Sequence, residues 1–163
     1  MATYPHDRSR HTSVYIDLGN DEPGMTLQRF VDAQEPVYDL VLSELTAGTK
    51  RSHWMWFVFP QVQGLGQSPT AREYAIKSRD EATAFLNHEC LGYRLRECTK
   101  LVNEIDGRSV QQIFGYPDFM KFHSCITLFD AVAEDTDVFC TSLKKYFDSN
   151  IDPITLEILA TDV

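Results

Sequence analysis

The residues with the clearest chemical potential lie in one segment that combines two cations, an imidazole and two tryptophans. The segment reads Lys50-Arg51-Ser52-His53-Trp54-Met55-Trp56-Phe57-Val58-Phe59-Pro60-Gln61. Lysine and arginine bind phosphate or carboxylate groups, and a tryptophan ring offers a face on which a flat group can stack. His53 could act as a general acid or base, because the pKa of imidazole lies near neutrality.

This segment belongs to a stretch without carboxylates, which covers residues 45–72. A second such stretch covers residues 119–129. If the two stretches meet in the fold, they form a cationic and aromatic patch that would concentrate an anionic ligand. His53 is the candidate catalytic residue. The candidate ligand-binding residues are Lys50, Arg51, Trp54, Trp56, Gln61, Lys121 and Ser124.

Each of these features also has a purely structural explanation. A tryptophan-rich apolar run is more often part of a core than of a binding site. Lys50 and Arg51 follow a predicted helix end, where cations interact favourably with the helix dipole. The ring nitrogens of His53 could simply satisfy backbone groups. The glycines at 64 and 66 lack the third glycine of a dinucleotide-binding loop, which favours a tight turn.

Composition excludes several classes of function. The 163 residues include 15 lysines and arginines against 24 aspartates and glutamates, which gives a net charge of −9. This balance disfavours non-specific binding to nucleic acid or to an anionic membrane. The cysteines and histidines show no metal-binding spacing, so we expect neither a metal nor a cofactor. Without an apolar leader or a membrane-length apolar run, we expect a cytoplasmic protein with reduced thiols.

The elements that must position the candidate residues have the signals of short helices. Apolar residues recur with helical spacing along most of the chain. Ser78 and Ser109 begin capping boxes, and Ser68 precedes a proline at a first helical position, with the helix expected to reach about Lys77. Pro36 predicts a break or kink in the first helical segment, because its ring clashes with the preceding turn.

Residues 54–59 form the one segment whose periodicity does not distinguish a strand from a helical turn. No second strand candidate of similar quality exists, and an isolated strand leaves its backbone groups unpaired. We therefore predict a helix or an irregular turn here and an all-α fold of seven to eight short helices. The predicted helical domain covers residues 25–163, and residues 1–24 are predicted to be a flexible arm.

Several motifs taken together are characteristic of one protein family. They include L-Q-R-F-V-D-A-Q at 27–34, S-H-W-M-W-F-V-F-P-Q at 52–61, G-L-G at 64–66, I-F-G at 113–115 and T-L-F at 127–129. In these motifs the chain resembles the family known as domain of unknown function 1810, of the Rv1873-like superfamily. The resemblance implies an all-helical domain arranged as a right-handed superhelix, and it implies no activity.

Two functions remain open at this point. In the first, the cations bind a small nucleotide or ADP-ribose-like anion between the tryptophans, and His53 or an unassigned carboxylate supplies the acid–base chemistry for its hydrolysis. Helical hydrolases that act on ADP-ribosyl groups in other families offer only a loose analogy of fold. In the second, the helices form an adaptor module that binds a protein partner without catalysis. A pocket shared by His53 and Lys121 would favour the first function, and an apolar groove with these residues far apart would favour the second.

Overall fold

Short helices make up most of residues 27–161, the part of the chain that the computed structural model describes, the side chain at position 137 excepted. The arm predicted for residues 1–24 lies outside this range. The described helices are α1 Gln28–Gln34, α2 Tyr38–Ala47, α3 Met55–Val58, α4 Pro69–Glu73, α5 Arg79–Asn87, α6 Glu89–Asn103, α7 Val110–Phe114, α8 Asp118–Val132, α9 Asp137–Phe147 and α10 Pro153–Thr161. The prediction of a single all-α domain is confirmed.

The described range contains more helices than the seven to eight predicted, because some segments are single turns or are broken. The chain breaks at Pro36 into α1 and α2, as proline requires. Residues 55–58 form one helical turn, which confirms the preference for helix over strand. Instead of a sheet, Val62 and Ile76 form an isolated parallel bridge. None of the helices in the described range is long and apolar enough to cross a membrane.

The capping signals place the starts of α4, α5 and α7 correctly. Two details differ from the prediction: one capping box is incomplete, and α4 ends earlier than expected. Ser109 and Gln112 form the complete capping box, and Ser68 accepts the N–H of Ala71 at the start of α4. At α5 the Ser78 hydroxyl accepts the N–H of Glu81, but the Glu81 carboxylate does not return the bond. Helix α4 ends at residue 73 instead of 77, because residue 76 extends to donate its N–H to the carbonyl of residue 61 at 2.8 Å.

The Glu81 carboxylate instead anchors α1 to the start of α5. The side chain is 2% exposed, and its Oε1 lies 2.9 Å from Nη2 of Arg29. Arg29 also donates to the carbonyls of Glu73 at 2.8 Å and Ala75 at 3.0 Å. A buried ion pair with this many hydrogen bonds is costly to break from one side, since the remaining charge is left unpaired.

Helix α8 is the central element of the core and packs against α5, α7, α9 and α10. Its Phe122 side chain is fully buried and contacts Phe59, which follows α3, with ring centroids 5.1 Å apart in an edge-to-face arrangement. Phe122 also stacks on Phe114 of α7 at 4.7 Å. This aromatic cluster fixes the segment that follows Lys50 against the first turns of α8.

The close approach of α5 and α6 depends on Gly92. A Cβ atom at this position would lie 1.9 Å from the carbonyl oxygen of Leu86. The connection between α5 and α6 has little freedom to move, because His88 caps α6. Its Nδ1 accepts the N–H groups of Cys90 and Leu91, both at 3.2 Å. The backbone of residue 86 cannot move away without disturbing that cap.

We predict that Gly92→Ala lowers the free energy of unfolding by about 3 kcal/mol, since the methyl group forces two packed helices apart. Chemical denaturation of the purified variants measures this loss. Gly107→Ala is the control, because Gly107 has open space around it and a φ of +73°, so the cost is limited to about 1 kcal/mol of backbone strain. Equal losses in the two variants would contradict the packing explanation.

Candidate functional site

The two carboxylate-free stretches meet at a pocket beside the start of α8. The pocket has a volume of about 480 Å³. We call it the cationic pocket; it is lined by Lys50, Arg51, Ser52, His53, Trp56, Phe114, Tyr116, Pro117, Asp118 and Lys121. His53 and Lys121 thus share one pocket, which is the arrangement expected of a small-ligand site.

The loop between α2 and α3, which carries Lys50 and Arg51, is held by the carboxylate of Glu44 on α2. Glu44 is 6% exposed, and its Oε1 accepts the backbone N–H groups of Arg51 and Ser52, both at 2.6 Å. The indole N–H of Trp54 donates to Oε2 at 3.2 Å. Gly48 ends α2 with a φ of +81°, which lets the chain fold back over the helix end. One buried carboxylate therefore orients the whole loop.

The protonation of Glu44 is set by two opposing effects. Burial raises the pKa of this carboxyl, but the three N–H groups that donate to it favour the ionised form more strongly, and the pKa is lowered from its ordinary value of 4.5. Glu44 therefore stays charged at neutral pH despite its burial.

Asp118 joins the two segments of the site. Its Oδ2 lies 2.7 Å from Nζ of Lys50, and its Oδ1 lies 3.4 Å from Nζ of Lys121. The Lys50 side chain is only 7% exposed, and its ammonium also donates to the carbonyl of Ser52 at 2.5 Å. Asp118 occupies the first turn of α8, where the helix dipole favours a negative charge. The pair with Lys121 is local, at i and i+3 on one helix, whereas the contact with Lys50 depends on the tertiary fold.

The cationic pocket keeps a positive balance, because three cationic side chains face one carboxylate. Lys50 and Lys121 share Asp118, whereas Arg51 is exposed. Within residues 27–161, neither the guanidinium of Arg51 nor the imidazole of His53 has a side-chain or backbone partner. These two groups are therefore open to a ligand.

The prediction that Trp54 offers a stacking face is wrong. Its ring is 1% exposed and packs against Phe59 with centroids 6.1 Å apart, so Trp54 belongs to the core. Trp56 does line the cationic pocket, but the ammonium of Lys121 lies over its ring at 4.6 Å from the centroid. The two tryptophans thus have different roles that their common sequence context did not separate.

Gln61 and Ser124 do not reach the cationic pocket, which corrects their assignment to the same site. They line a second pocket of about 300 Å³. We call it the apolar pocket; its other lining residues are Leu65, Val110, Gln111, Phe119, Met120, His123, Tyr146, Phe147, Asp152 and Ile154. Ser124 is 7% exposed, and its hydroxyl donates to Oδ2 of Asp152 at 3.1 Å, where it stabilises the start of α10.

Sequence reasoning missed Glu44 and Tyr116. Glu44 had a signal, because it lies between Val41 and Leu45 on the face of α2 that is buried, and an acid on an apolar helix face needs a partner. Tyr116 had none, since nothing in its neighbourhood distinguishes an exposed tyrosine at a pocket from any other surface residue. Among the residues described, no cluster of three or more histidine, cysteine, aspartate or glutamate side chains could hold a metal ion.

Comparison with known protein families identifies the family of this chain. The sequence model described as "Protein of unknown function (DUF1810)" matches residues 24–159. The chain belongs to the DUF1810 family. All residues of the cationic pocket lie within the part that matches the DUF1810 model.

A solved structure supports the same relationship. The chain is similar to the conserved hypothetical protein Rv1873 from Mycobacterium tuberculosis, with 52% sequence identity and a TM-score of 0.81. The match covers 82% of this chain and 95% of that chain. No curated protein matches this DUF1810 chain. The comparisons thus establish the fold and the family, while the chemistry of the site has to be argued from its geometry.

We predict that Glu44→Gln lowers the free energy of unfolding at pH 7 by about 2 kcal/mol, because an amide cannot accept all three N–H groups. The stabilisation by Glu44 is fully present above the unfolded-state pKa, near 4.5, and is lost as the pH falls through the lower folded-state pKa. Denaturant titrations at pH 7 and pH 3 should therefore show a smaller difference between wild type and variant at pH 3.

Glu104→Gln is the control for this experiment. Glu104 is 59% exposed, and within residues 27–161 its ion pair is with Lys100 at 3.9 Å, so its loss should change stability by less than about 0.5 kcal/mol. A Glu44→Gln variant as stable as this control at pH 7 would contradict the role of Glu44.

Proposed function

We propose that the cationic pocket binds a small anionic ligand of the nucleotide or ADP-ribose-like class. The observation that carries this proposal is the convergence of Lys50, Arg51 and Lys121 on one pocket in a protein with a net charge of −9. A positive concave site on an acidic molecule attracts anions locally while the rest of the surface repels them. Its volume of about 480 Å³ lies within the range of small-molecule sites.

The lysines and the arginine contribute in different ways. The ammonium groups of Lys50 and Lys121 are preorganised by Asp118, so little side-chain entropy is lost when an anion binds beside them. Arg51 can present two parallel N–H donors to a phosphate or carboxylate, which adds geometric specificity. Arg51 is therefore the principal anion-binding group.

The geometry supports binding more directly than it supports hydrolysis. His53 is exposed at the pocket, and within residues 27–161 no acceptor fixes its tautomer or orientation. A catalytic histidine is ordinarily oriented by a second group. His53 remains the group that we propose for proton transfer, and product analysis of a bound probe with wild type and His53→Gln tests that role.

The adaptor function receives its support from the apolar pocket. Met120 and Ile154 line it and are 50% and 54% exposed. However, His53 and Lys121 lie together at the cationic pocket instead of far apart, so the arrangement that favours the small-ligand function is the one present.

We predict that Arg51→Ala weakens binding of ADP-ribose about tenfold or more, because one charge-assisted hydrogen-bond donor is lost. Isothermal titration calorimetry at low ionic strength measures the affinity, and added salt should weaken it in the wild type. Arg51 is exposed, and we therefore expect its replacement to leave the melting temperature unchanged.

Arg72→Ala is the matched control. Arg72 is an exposed arginine on α4 that does not line the cationic pocket, so the variant has the same change in net charge. Equal weakening in both variants would indicate an effect of net charge alone, and failure of the wild type to bind ADP-ribose, AMP, NAD or a sugar phosphate would overturn the proposal.

A further inference from the structure

The aromatic side chains around the cationic pocket differ in how much of each ring a ligand can reach. Phe114 is 6% exposed and stacks on Phe122. One face of Trp56 is covered by the ammonium of Lys121 at 4.6 Å. Tyr116 is 81% exposed. Of the aromatic residues that the structure describes at this pocket, Tyr116 thus has the ring most accessible to a ligand.

The backbone around Tyr116 is firmly held although its ring is exposed. The N–H of Gly115 donates to the carbonyl of Gln111 at 2.8 Å, and the N–H of Phe119 donates to the carbonyl of Gly115 at 2.9 Å. The Tyr116 ring also lies 6.2 Å from that of Phe119, at an interplanar angle of 50°. A side chain on such a fixed connection between two helices loses little backbone entropy when it contacts a ligand.

We propose that Tyr116 is the stacking residue of the cationic pocket, and that the ligand therefore carries a planar ring beside its anionic group. The inference rests on the proposed anionic site and narrows its ligand class to aromatic anions, of which nucleoside phosphates are the common example. Inorganic phosphate and sugar phosphates lack the ring and are disfavoured.

The side chains of Arg51 and Tyr116 together support this assignment. Arg51 and Tyr116 line the same pocket, and within residues 27–161 neither the guanidinium nor the phenolic hydroxyl has a hydrogen-bond partner, although the Tyr116 ring contacts that of Phe119. A guanidinium recognises the anionic group, and an open ring stacks on the flat group. Stacking on a single tyrosine tolerates different bases, because every base has a π-face. The pocket should therefore select for the presence of a ring more than for its identity.

The test compares AMP with ribose 5-phosphate, which share the sugar phosphate and differ in the ring. Calorimetric titration of the wild type should give clearly tighter binding of AMP. Tyr116→Ala should weaken AMP binding about tenfold and leave ribose 5-phosphate unaffected, whereas Tyr116→Phe should keep AMP affinity within about twofold. Tyr93→Ala is the matched control, because Tyr93 is a tyrosine on α6 that is 67% exposed and does not line the pocket.

The outcomes separate this inference from the proposed function. If AMP binds in an Arg51-dependent way but Tyr116→Ala binds it as well as the wild type does, the stacking role is overturned and the anionic site stands. Equal affinity of the wild type for AMP and ribose 5-phosphate has the same meaning. If neither probe binds to the wild type, the stacking role is overturned, and the anionic site is overturned with it if ADP-ribose and NAD also fail to bind. Because the Tyr116 ring is exposed, the melting temperature of each variant should equal that of the wild type.

Discussion

The candidate site depends on a single buried carboxylate. Glu44 accepts two backbone N–H groups of the loop after α2 and the indole N–H of Trp54, so it fixes both the loop path and the entry into α3. Without such an acceptor the indole N–H would be buried and unpaired, at a cost of roughly 1–3 kcal/mol, and the two partly buried backbone N–H groups would lose their acceptor as well. The positions of Lys50, Arg51 and His53 follow from this arrangement, because the residues between the two ends of the loop have little freedom left.

Asp118 provides the second constraint and connects the loop to the core. Its carboxylate lies between Lys50 from the loop and Lys121 from α8. The aromatic cluster around Phe122 packs immediately behind it and gives α8 a fixed position relative to α3 and α7. Partial neutralisation by Asp118 lets two lysines approach each other without strong repulsion, while the pocket keeps a positive balance through Arg51. Lys50 and Asp118 are thus mostly buried against the core, whereas Arg51 and His53 are exposed at the opening of the pocket.

Local signals in the sequence predicted the helical fold well, because capping residues, prolines and apolar periodicity act over a few residues. Ser109 and Gln112 are an example, and so is the break at Pro36. The site was predicted only in part. The sequence indicated that the segments around His53 and Lys121 could meet, but Trp54 and Trp56 differ in exposure for tertiary reasons. Gln61 and Ser124 were placed in the wrong pocket for the same reason, since the separation of two neighbouring pockets by α8 is a property of packing.

An NMR titration of ¹⁵N-labelled protein with AMP tests the central claim, that the cationic pocket binds an aromatic anion, most directly. The chain has two tryptophans, so the indole N–H signals of Trp54 and Trp56 can be followed separately. The account predicts saturable shifts of the Trp56 indole and of the backbone amides of Arg51, His53 and Lys121. Saturable shifts confined to the apolar pocket around Gln61 and Ser124, or no shifts at all, would contradict it.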